Sequence, residues 1–182
     1  MLGINLLFAG FALTLNGLSY LTPVDNKVKA FANILVGIVI AINAIFQVAF
    51  ATTFVEFGFS AAMWMFALNY ILIAAHIFFK SDNWKVFGIY SLFAMIVSFT
   101  FAGEAIYAVA APPMYQGASG VVVLGAPWEM VYLWTMWAIL WAQSFVSIMF
   151  AKTENLTPYV LILNGVASTF IPGLLILLGI IL

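Results

Sequence analysis

Aromatic side chains recur at helical spacing in two apolar stretches of the chain. Trp134, Trp137 and Trp141 stand at positions i, i+3 and i+7, which places them within an arc of about 60° on one helix face. Phe66 and Tyr70, four residues apart, likewise share a face. Ring faces can sandwich a flat molecule while indole N–H and phenol O–H groups hydrogen-bond to its edges. The spacing is therefore compatible with a slot for a small, flat, uncharged, polar molecule, as well as with packing or lipid contact.

The elements that would position these rings are membrane-spanning helices. Of the 182 residues, 66% are hydrophobic and 6% are charged, whereas soluble domains carry about 25% charged residues. A membrane span needs about 20 apolar residues, so six spans leave almost nothing for a soluble domain. The sequence predicts an all-α integral membrane protein with six transmembrane helices in a compact bundle, forming a single domain over 1–182. The predicted helices are 2–21, 29–53, 58–79, 86–108, 128–151 and 157–181, with a long external connection at 109–127.

The charged residues predict how the helices are oriented. The chain has five lysines and no arginine, and the lysines occur only in the first, third and fifth breaks between apolar runs: Lys27, Lys29, Lys80, Lys85 and Lys152. Short Lys-rich loops remain in the cytoplasm, so these breaks are internal and both termini are external. Of the even-numbered breaks, the second carries Glu56, and Glu104 and Glu129 flank the fourth. These three are candidate pH-sensing carboxylates, although solvation alone is the simpler explanation for external acids.

This orientation allows the depths of the aromatic residues to be compared. With a rise of 1.5 Å per residue, Tyr70 and Trp141 lie roughly 15 Å from the inner ends of their helices, and Phe66 and Trp137 roughly 21 Å. Interfacial aromatic belts explain Trp and Tyr near the membrane surface but not at these depths. Packing or lipid contact is one interpretation. The other is a pair of stacked constrictions, with Trp137 and Phe66 outside and Trp141 and Tyr70 inside. Such constrictions suit urea and short-chain amides, whereas a hydrated ion would lose its water there without replacement.

Two side-chain amides are predicted at another common depth. Asn16 and Asn164 each occur in the tripeptide Leu-Asn-Gly, roughly 9 and 10 Å from the inner side. They are candidate solute-binding residues together with the aromatic side chains.

Ionisable residues are missing from the middle of every predicted span. Such residues mark proton relays and ion paths, so their absence argues against a proton-coupled carrier and against a channel with a charged filter. No nucleophile–base pair or metal cluster lies in the core, which argues against an enzyme, and we expect no cofactor. Cys is absent, and a net charge of −1 excludes a nucleic-acid-binding patch.

Small residues predict close contacts of the first and last helices. Gly3, Gly10 and Gly17 recur every seven residues, and such a stripe lets another helix or protomer approach closely. Pro172-Gly173 predicts a kink in the last helix.

The chain resembles the AmiS/UreI family of bacterial urea channels and amide transporters over essentially its whole length. The resemblance rests on short motifs in a fixed order: Met1-Leu2-Gly3, Asn16-Gly17, Thr22-Pro23-Val24-Asp25, Phe66 with Tyr70 and Ala74, Trp84 with Tyr90-Ser91-Leu92-Phe93, Trp134 with Trp137 and Trp141, Thr157-Pro158 and Ile171-Pro172. It implies a facilitated-diffusion channel of the inner membrane, with one pore per protomer and a hexameric ring. It also implies that Phe66, Tyr70, Trp137 and Trp141 line the constrictions, and that uptake feeds a cytoplasmic urease or amidase.

Two departures from the family pattern qualify this expectation. Acid-gated members carry His-rich external loops, whereas the one histidine of this chain, His76, falls at the inner end of the third predicted helix. The sequence therefore predicts a channel without His-based acid gating. Position 164 is Asn, where some relatives place a carboxylate, so the preferred solute can differ.

Two other functions stay open at this stage. A coupled secondary transporter for short-chain amides would show a buried ionisable residue and broken helices, and only Pro172-Gly173 hints at the latter. A membrane scaffold that docks a soluble enzyme would need larger internal loops than this chain has.

Overall fold

The computed structural model describes residues 2–51, 54–110 and 128–181, and these ranges contain helices and short connections but no strand. Six helical stretches are long and apolar enough to cross a membrane, which confirms the predicted six-span all-α architecture. The sixth stretch is Glu154–Leu177, here called the sixth span. Most of the connection predicted at 109–127 lies outside the described residues. The elements are α1 (Leu2–Leu21), α2 (Asn26–Phe50), α3 (Phe54–Phe78), α4 (Lys85–Ala110), α5 (Trp128–Phe150), a 3₁₀ turn (Glu154–Leu156), α6 (Thr157–Leu163), a π-helical segment (Asn164–Phe170) and α7 (Ile171–Leu177).

A capping residue explains why α2 begins at Asn26, three residues before the predicted start. The Asp25 carboxylate accepts hydrogen bonds from the backbone N–H groups of Lys27 (2.8 Å) and Val28 (3.1 Å). An Asp at this position satisfies donors that the first helical turn leaves free. The Thr22-Pro23 turn is therefore followed almost at once by a new helix, which keeps the first internal loop short.

The helices pack in three pairs, and one of these pairs joins the first helix to the sixth span. α2 lies along α3, α4 lies along α5, and α1 lies along the sixth span. Side chains of α3 and α5 meet at the centre of the core, where Met63, Phe66, Tyr70, Trp137 and Trp141 are almost completely buried.

The glycine stripe of α1 forms the contact with the sixth span. A Cβ atom on Gly3 would lie 2.8 Å from the Gly173 carbonyl oxygen, and one on Gly10 would lie 2.7 Å from that of Gly165. A Cβ atom on Gly17 would lie 2.8 Å from the Pro158 carbonyl oxygen. The stripe thus allows backbone-to-backbone packing over the length of α1, in agreement with the packing interpretation of these glycines.

The sixth span departs from regular α-helix before the predicted kink. Residues Asn164–Phe170 are π-helical, and the Ile171 N–H group bonds to the Val166 carbonyl, five residues back. Hydroxyl groups satisfy the displaced backbone, since Ser168 Oγ donates to the Asn164 carbonyl at 2.8 Å. Pro172 and Gly173 lie in α7, and the carbonyl that Pro172 leaves without a backbone donor is that of Ser168, four residues back, within the π-helical segment.

Close packing of α1 predicts that Gly10→Ala destabilises the bundle by about 1–3 kcal/mol, because the added methyl group overpacks a backbone contact. Gly103→Ala is the matched control, since no atom of the described residues lies within 4 Å of a Cβ atom built on Gly103. Thermal unfolding in detergent should show a lower Tm for Gly10→Ala and an unchanged or higher Tm for Gly103→Ala. Equal Tm values for the two variants would contradict this account of the stripe.

Candidate functional site

A cavity of about 550 Å³ enters the bundle from the end that carries the lysines. Charged side chains line its mouth: Lys29, Asp82, Lys85 and Glu154. Deeper in the cavity, α1, α3 and α5 contribute neutral side chains, namely Leu13, Asn16, Asn69, Ile73, Leu140, Trp141 and Ser144. By the positive-inside rule this mouth faces the cytoplasm. The cavity is a vestibule that narrows to Trp141 about halfway along α5.

The predicted aromatic residues form one continuous cluster at the deep end of the vestibule. Phe66 is its centre: its ring meets Trp137 edge-on with centroids 5.1 Å apart, and lies 5.8 Å from Trp141 and 6.4 Å from Tyr70. Trp134 extends the cluster outward, since it meets Trp137 edge-on at 5.1 Å. Phe66 contacts both Trp137, from the predicted outer level, and Trp141, from the predicted inner level. The two predicted levels are therefore linked through Phe66.

Two aromatic residues of α4 complete this cluster. Tyr90 meets Trp141 edge-on at 5.8 Å, and Phe101 stacks on Trp134 at 4.6 Å with an interplanar angle of 18°. Edge-to-face and stacked pairs of this kind add about 0.5–1.5 kcal/mol beyond area burial. The rings of α4 hold the face of α5 on which the tryptophans lie.

The indole N–H groups of Trp137 and Trp141 are buried and have no hydrogen-bond partner among the described residues. Buried tryptophans usually find such a partner, and an unpaired buried donor costs roughly 1–3 kcal/mol. Both side chains are only 1% exposed. The core therefore contains two free donors, one helical turn apart, that a molecule in the bundle can use.

The phenol hydroxyl groups of Tyr70 and Tyr90 donate hydrogen bonds to backbone carbonyl groups. Tyr70 donates to the Ala9 carbonyl at 2.9 Å, which ties α3 to α1. Tyr90 donates to the Met65 carbonyl, which ties α4 to α3. The hydroxyl proton of Tyr70 is therefore used in the fold, where it ties α3 to α1.

The two candidate amides have separate surroundings. Asn16 exchanges two hydrogen bonds with Asn33 of α2, at 2.8 and 2.9 Å, and it lines the vestibule. Asn164 is bonded within its own segment, donating to the Val160 carbonyl at 3.1 Å and accepting from Ser168 at 3.0 Å. The structure does not pair Asn16 with Asn164. It assigns Asn16 to a clamp between α1 and α2, and Asn164 to the π-helical segment.

The titratable candidates lie at the two ends of the bundle. Glu104 is exposed near the end of α4, and Glu129 is half-buried in the first turn of α5. The side chain of Glu56 lies outside the described residues. His76 is in the last turn of α3 and stacks on Trp84, with ring centroids 4.5 Å apart. The histidine thus lies at the end that carries the lysines, as the sequence predicted.

The sequence reasoning omitted several residues from the site. Leu13 and Leu140 line the vestibule, but a leucine in an apolar helix carries no signal of a pore. A single sequence does not show which helix an asparagine faces, so it gives no sign that Asn33 pairs with Asn16. For the same reason it gives no sign that Asn69 lines the vestibule.

Six membrane-spanning helices around an internal vestibule that ends at neutral aromatic and amide side chains define a membrane transport protein. The chain belongs to the AmiS/UreI family of transporters, whose family model matches residues 1–180. This match confirms the resemblance that the sequence motifs indicated.

Individual relatives are similar over nearly their full length. The chain is 28% identical to the acid-activated urea channels of two Helicobacter pylori strains, J99 and 26695, with 97% of each sequence covered. Its fold matches the crystal structure of the urea channel from the human gastric pathogen Helicobacter pylori with a TM-score of 0.75, at 26% identity over 98% of each chain. It matches the cryo-EM structure of the Helicobacter pylori urea channel in a closed state with a TM-score of 0.74, at 27% identity over 100% of each chain.

The amide clamp predicts an interaction between the substitutions Asn16→Leu and Asn33→Leu. Each single variant leaves one buried carboxamide without its partner and should lower stability by about 1–3 kcal/mol. The double variant removes both unpaired carboxamides, so its loss of stability should be smaller than the sum of the losses in the two single variants. A double-mutant cycle on Tm or on unfolding free energy in detergent measures this difference. Strict additivity would show that the clamp contributes no pairwise stabilisation.

Proposed function

We propose that the chain is a passive channel for urea, or for closely related short-chain amides, across the bacterial cytoplasmic (inner) membrane. The observation that carries this proposal is the pair of unpartnered indole N–H groups on Trp137 and Trp141, inside a neutral ring cluster at the end of the vestibule. Similarity to urea channels over the whole chain supports the choice of solute.

The geometry supports selection by shape and by hydrogen bonding. We infer that the solute path runs along the rings of Phe66, Tyr70, Trp134, Trp137 and Trp141, with the free indole donors of Trp137 and Trp141 available in turn to the carbonyl oxygen of a flat solute. Trp137 and Trp141 are four residues apart, so their backbone positions are separated by about 6 Å along the axis of α5. A hydrated ion would lose its water among these rings without an equivalent replacement. Asn16 at the vestibule wall and Asn164 in the π-helical segment are the polar residues that we assign to the same path.

Passive flux is favoured over coupled transport by where the charges lie. The charged side chains that line the described vestibule stand at its mouth, among them Lys29 and Glu154. A carrier driven by protons or cations would place ionisable groups near the membrane midplane. The π-helical segment Asn164–Phe170 is the one feature that favours a coupled amide transporter, because broken helices build the sites of such proteins. Proton or Na⁺ movement accompanying solute flux would identify that alternative.

The proposal extends to assembly and to partners in the cell. We infer a homohexamer in the lipid bilayer, with one pore in each protomer, and a functional link to a cytoplasmic urease or amidase that consumes the solute. The conduction step involves no catalytic residue, metal or organic cofactor, because every interaction that it uses comes from side chains of the pore wall.

Gating by external histidine is not part of the proposal. His76 is the one histidine of the chain, and it lies at the lysine-bearing end against Trp84. The external carboxylates Glu56, Glu104 and Glu129 are the groups left to respond to external pH, and exposure of Glu104 favours simple solvation. We therefore infer a pore that conducts at neutral and at mildly acidic external pH.

Stopped-flow light scattering on proteoliposomes tests the conduction pathway. Trp141→Ala and Trp137→Ala each remove a ring and a free donor, so the flux of a bulkier solute such as glycerol should rise about tenfold relative to that of urea, a change of ~1.4 kcal/mol in relative barrier height. Trp128→Ala is the control, since Trp128 is 69% exposed at the start of α5 and should leave both fluxes unchanged. Absence of urea and acetamide flux in the unmodified protein would refute the channel proposal. If the unmodified protein conducts urea but Trp137→Ala and Trp141→Ala both keep its ratio of glycerol flux to urea flux, the assignment of these tryptophans to the pore is refuted.

The same assay tests gating. Urea flux at external pH 5 and pH 7 should agree within about twofold, because no histidine is available at the external face. The triple variant Glu56→Gln, Glu104→Gln, Glu129→Gln should match the unmodified protein at both pH values. A flux at pH 5 that exceeds the flux at pH 7 by an order of magnitude, and that the triple variant abolishes, would show that these carboxylates form a gate.

A further inference from the structure

Two cavity-lining residues have buried polar atoms that lack a partner in the described part of the chain, namely Asn69 Oδ1 and Trp141 Nε1. Other polar side chains of the vestibule wall are paired: Asn16 with Asn33, and the Ser144 hydroxyl with the Leu140 carbonyl at 2.9 Å. Asn69 is 2% exposed. One free acceptor and one free donor therefore remain at the wall of the same cavity.

The two groups lie at the same depth on facing elements. Asn69 is nine residues from Phe78, the last residue of α3, and Trp141 is nine residues from Phe150, the last residue of α5. Both positions are about 14 Å from the cytoplasmic ends of their helices. Asn69 also lies between Phe66 and Tyr70 in the sequence of α3, so it belongs to the same helical turns as the aromatic cluster.

An unpaired acceptor inside a membrane bundle is unfavourable by itself. A buried carbonyl that has lost its water and gained no donor costs roughly 1–3 kcal/mol. A molecule that carries N–H next to C=O would satisfy both groups at once, because it offers a donor to Asn69 and an acceptor to Trp141. Ureas and primary amides have this arrangement.

We propose that Asn69 and Trp141 form a solute-binding subsite, in which Asn69 Oδ1 accepts from a solute N–H group and Trp141 Nε1 donates to the solute carbonyl. The proposal rests on the proposed channel function and adds a residue that determines specificity. The subsite selects for the amide N–H group, whereas the aromatic rings select for flatness and size.

The test compares Asn69→Ser with Asn69→Ala, which differ only by one hydroxyl acceptor. Urea flux in proteoliposomes should be about five- to tenfold higher for Asn69→Ser than for Asn69→Ala, the effect of one hydrogen bond on the barrier. Thiourea carries the same N–H groups, so the ratio between the two variants should be similar for thiourea. Trp141→Phe removes the donor, so it should lower urea flux more than thiourea flux, because the thiocarbonyl sulfur is the weaker acceptor.

Ser98→Ala is the matched control. The Ser98 hydroxyl is also buried and has no partner within the described ranges, but it lies on α4 outside the vestibule lining. Its removal should leave urea and thiourea fluxes unchanged. Tm in detergent, measured for each variant, reports whether the bundle is intact.

The outcomes separate this inference from the proposed function. Wild-type flux with equal values for Asn69→Ser and Asn69→Ala would overturn the subsite and leave the channel proposal standing. Absence of wild-type flux would overturn the channel proposal and the subsite with it. A Ser-over-Ala ratio that holds for urea and thiourea, with the control unaffected, would support the subsite.

Discussion

The structure depends on the satisfaction of polar groups in a bundle that lies in lipid. Without water, each N–H, O–H and C=O group in the membrane core needs a partner from the protein. Most core polar groups of this chain have one: Asn16 bonds to Asn33, and Tyr70 bonds to the Ala9 carbonyl. Exceptions at the deep end of the vestibule, such as Trp141 Nε1, are the groups that a passing solute can use. The hydrogen bonds that stabilise the wall thus also determine which donors stay free.

Close approach of α1 to the sixth span fixes the wall of the vestibule that faces the aromatic cluster. Glycines on both sides, such as Gly10 and Gly165, let the backbones touch, and Gly165 itself lies in the π-helical segment Asn164–Phe170. Because α1 is held in this way, its Ala9 carbonyl is in position to accept the Tyr70 hydroxyl. The packing of α1 against the sixth span therefore also orients the Tyr70 ring.

The distribution of charge separates the path of the solute from its entrances. Charged side chains line the cytoplasmic mouth, Glu104 and Glu129 lie towards the external ends of their helices, and the deep vestibule is neutral. A neutral polar solute then exchanges water for ring faces and a few hydrogen bonds, without an ion to draw it in or hold it. This arrangement favours rapid release and is in keeping with a passive pore rather than a binding protein.

The sequence by itself determined the features that follow from local periodicity. Apolar run lengths determined six spans, Lys placement predicted their orientation, and the spacing of Trp134, Trp137 and Trp141 placed these rings on one face of α5. The depth comparison also matched Phe66 with Trp137, whose rings are in contact. Each of these inferences uses only the geometry of a single helix and its direction across the membrane.

Tertiary structure alone decided which partner each polar group has. Asn16 and Asn164 share a tripeptide, but one pairs with α2 and the other bonds within its own segment. Nothing local distinguishes Asn33, which is paired, from Asn69, whose Oδ1 atom has no partner in the described part of the chain. The physical reason is that periodicity gives the face and depth of a side chain, whereas the group opposite it depends on which helices pack together, and that choice is made by contacts far apart in the sequence.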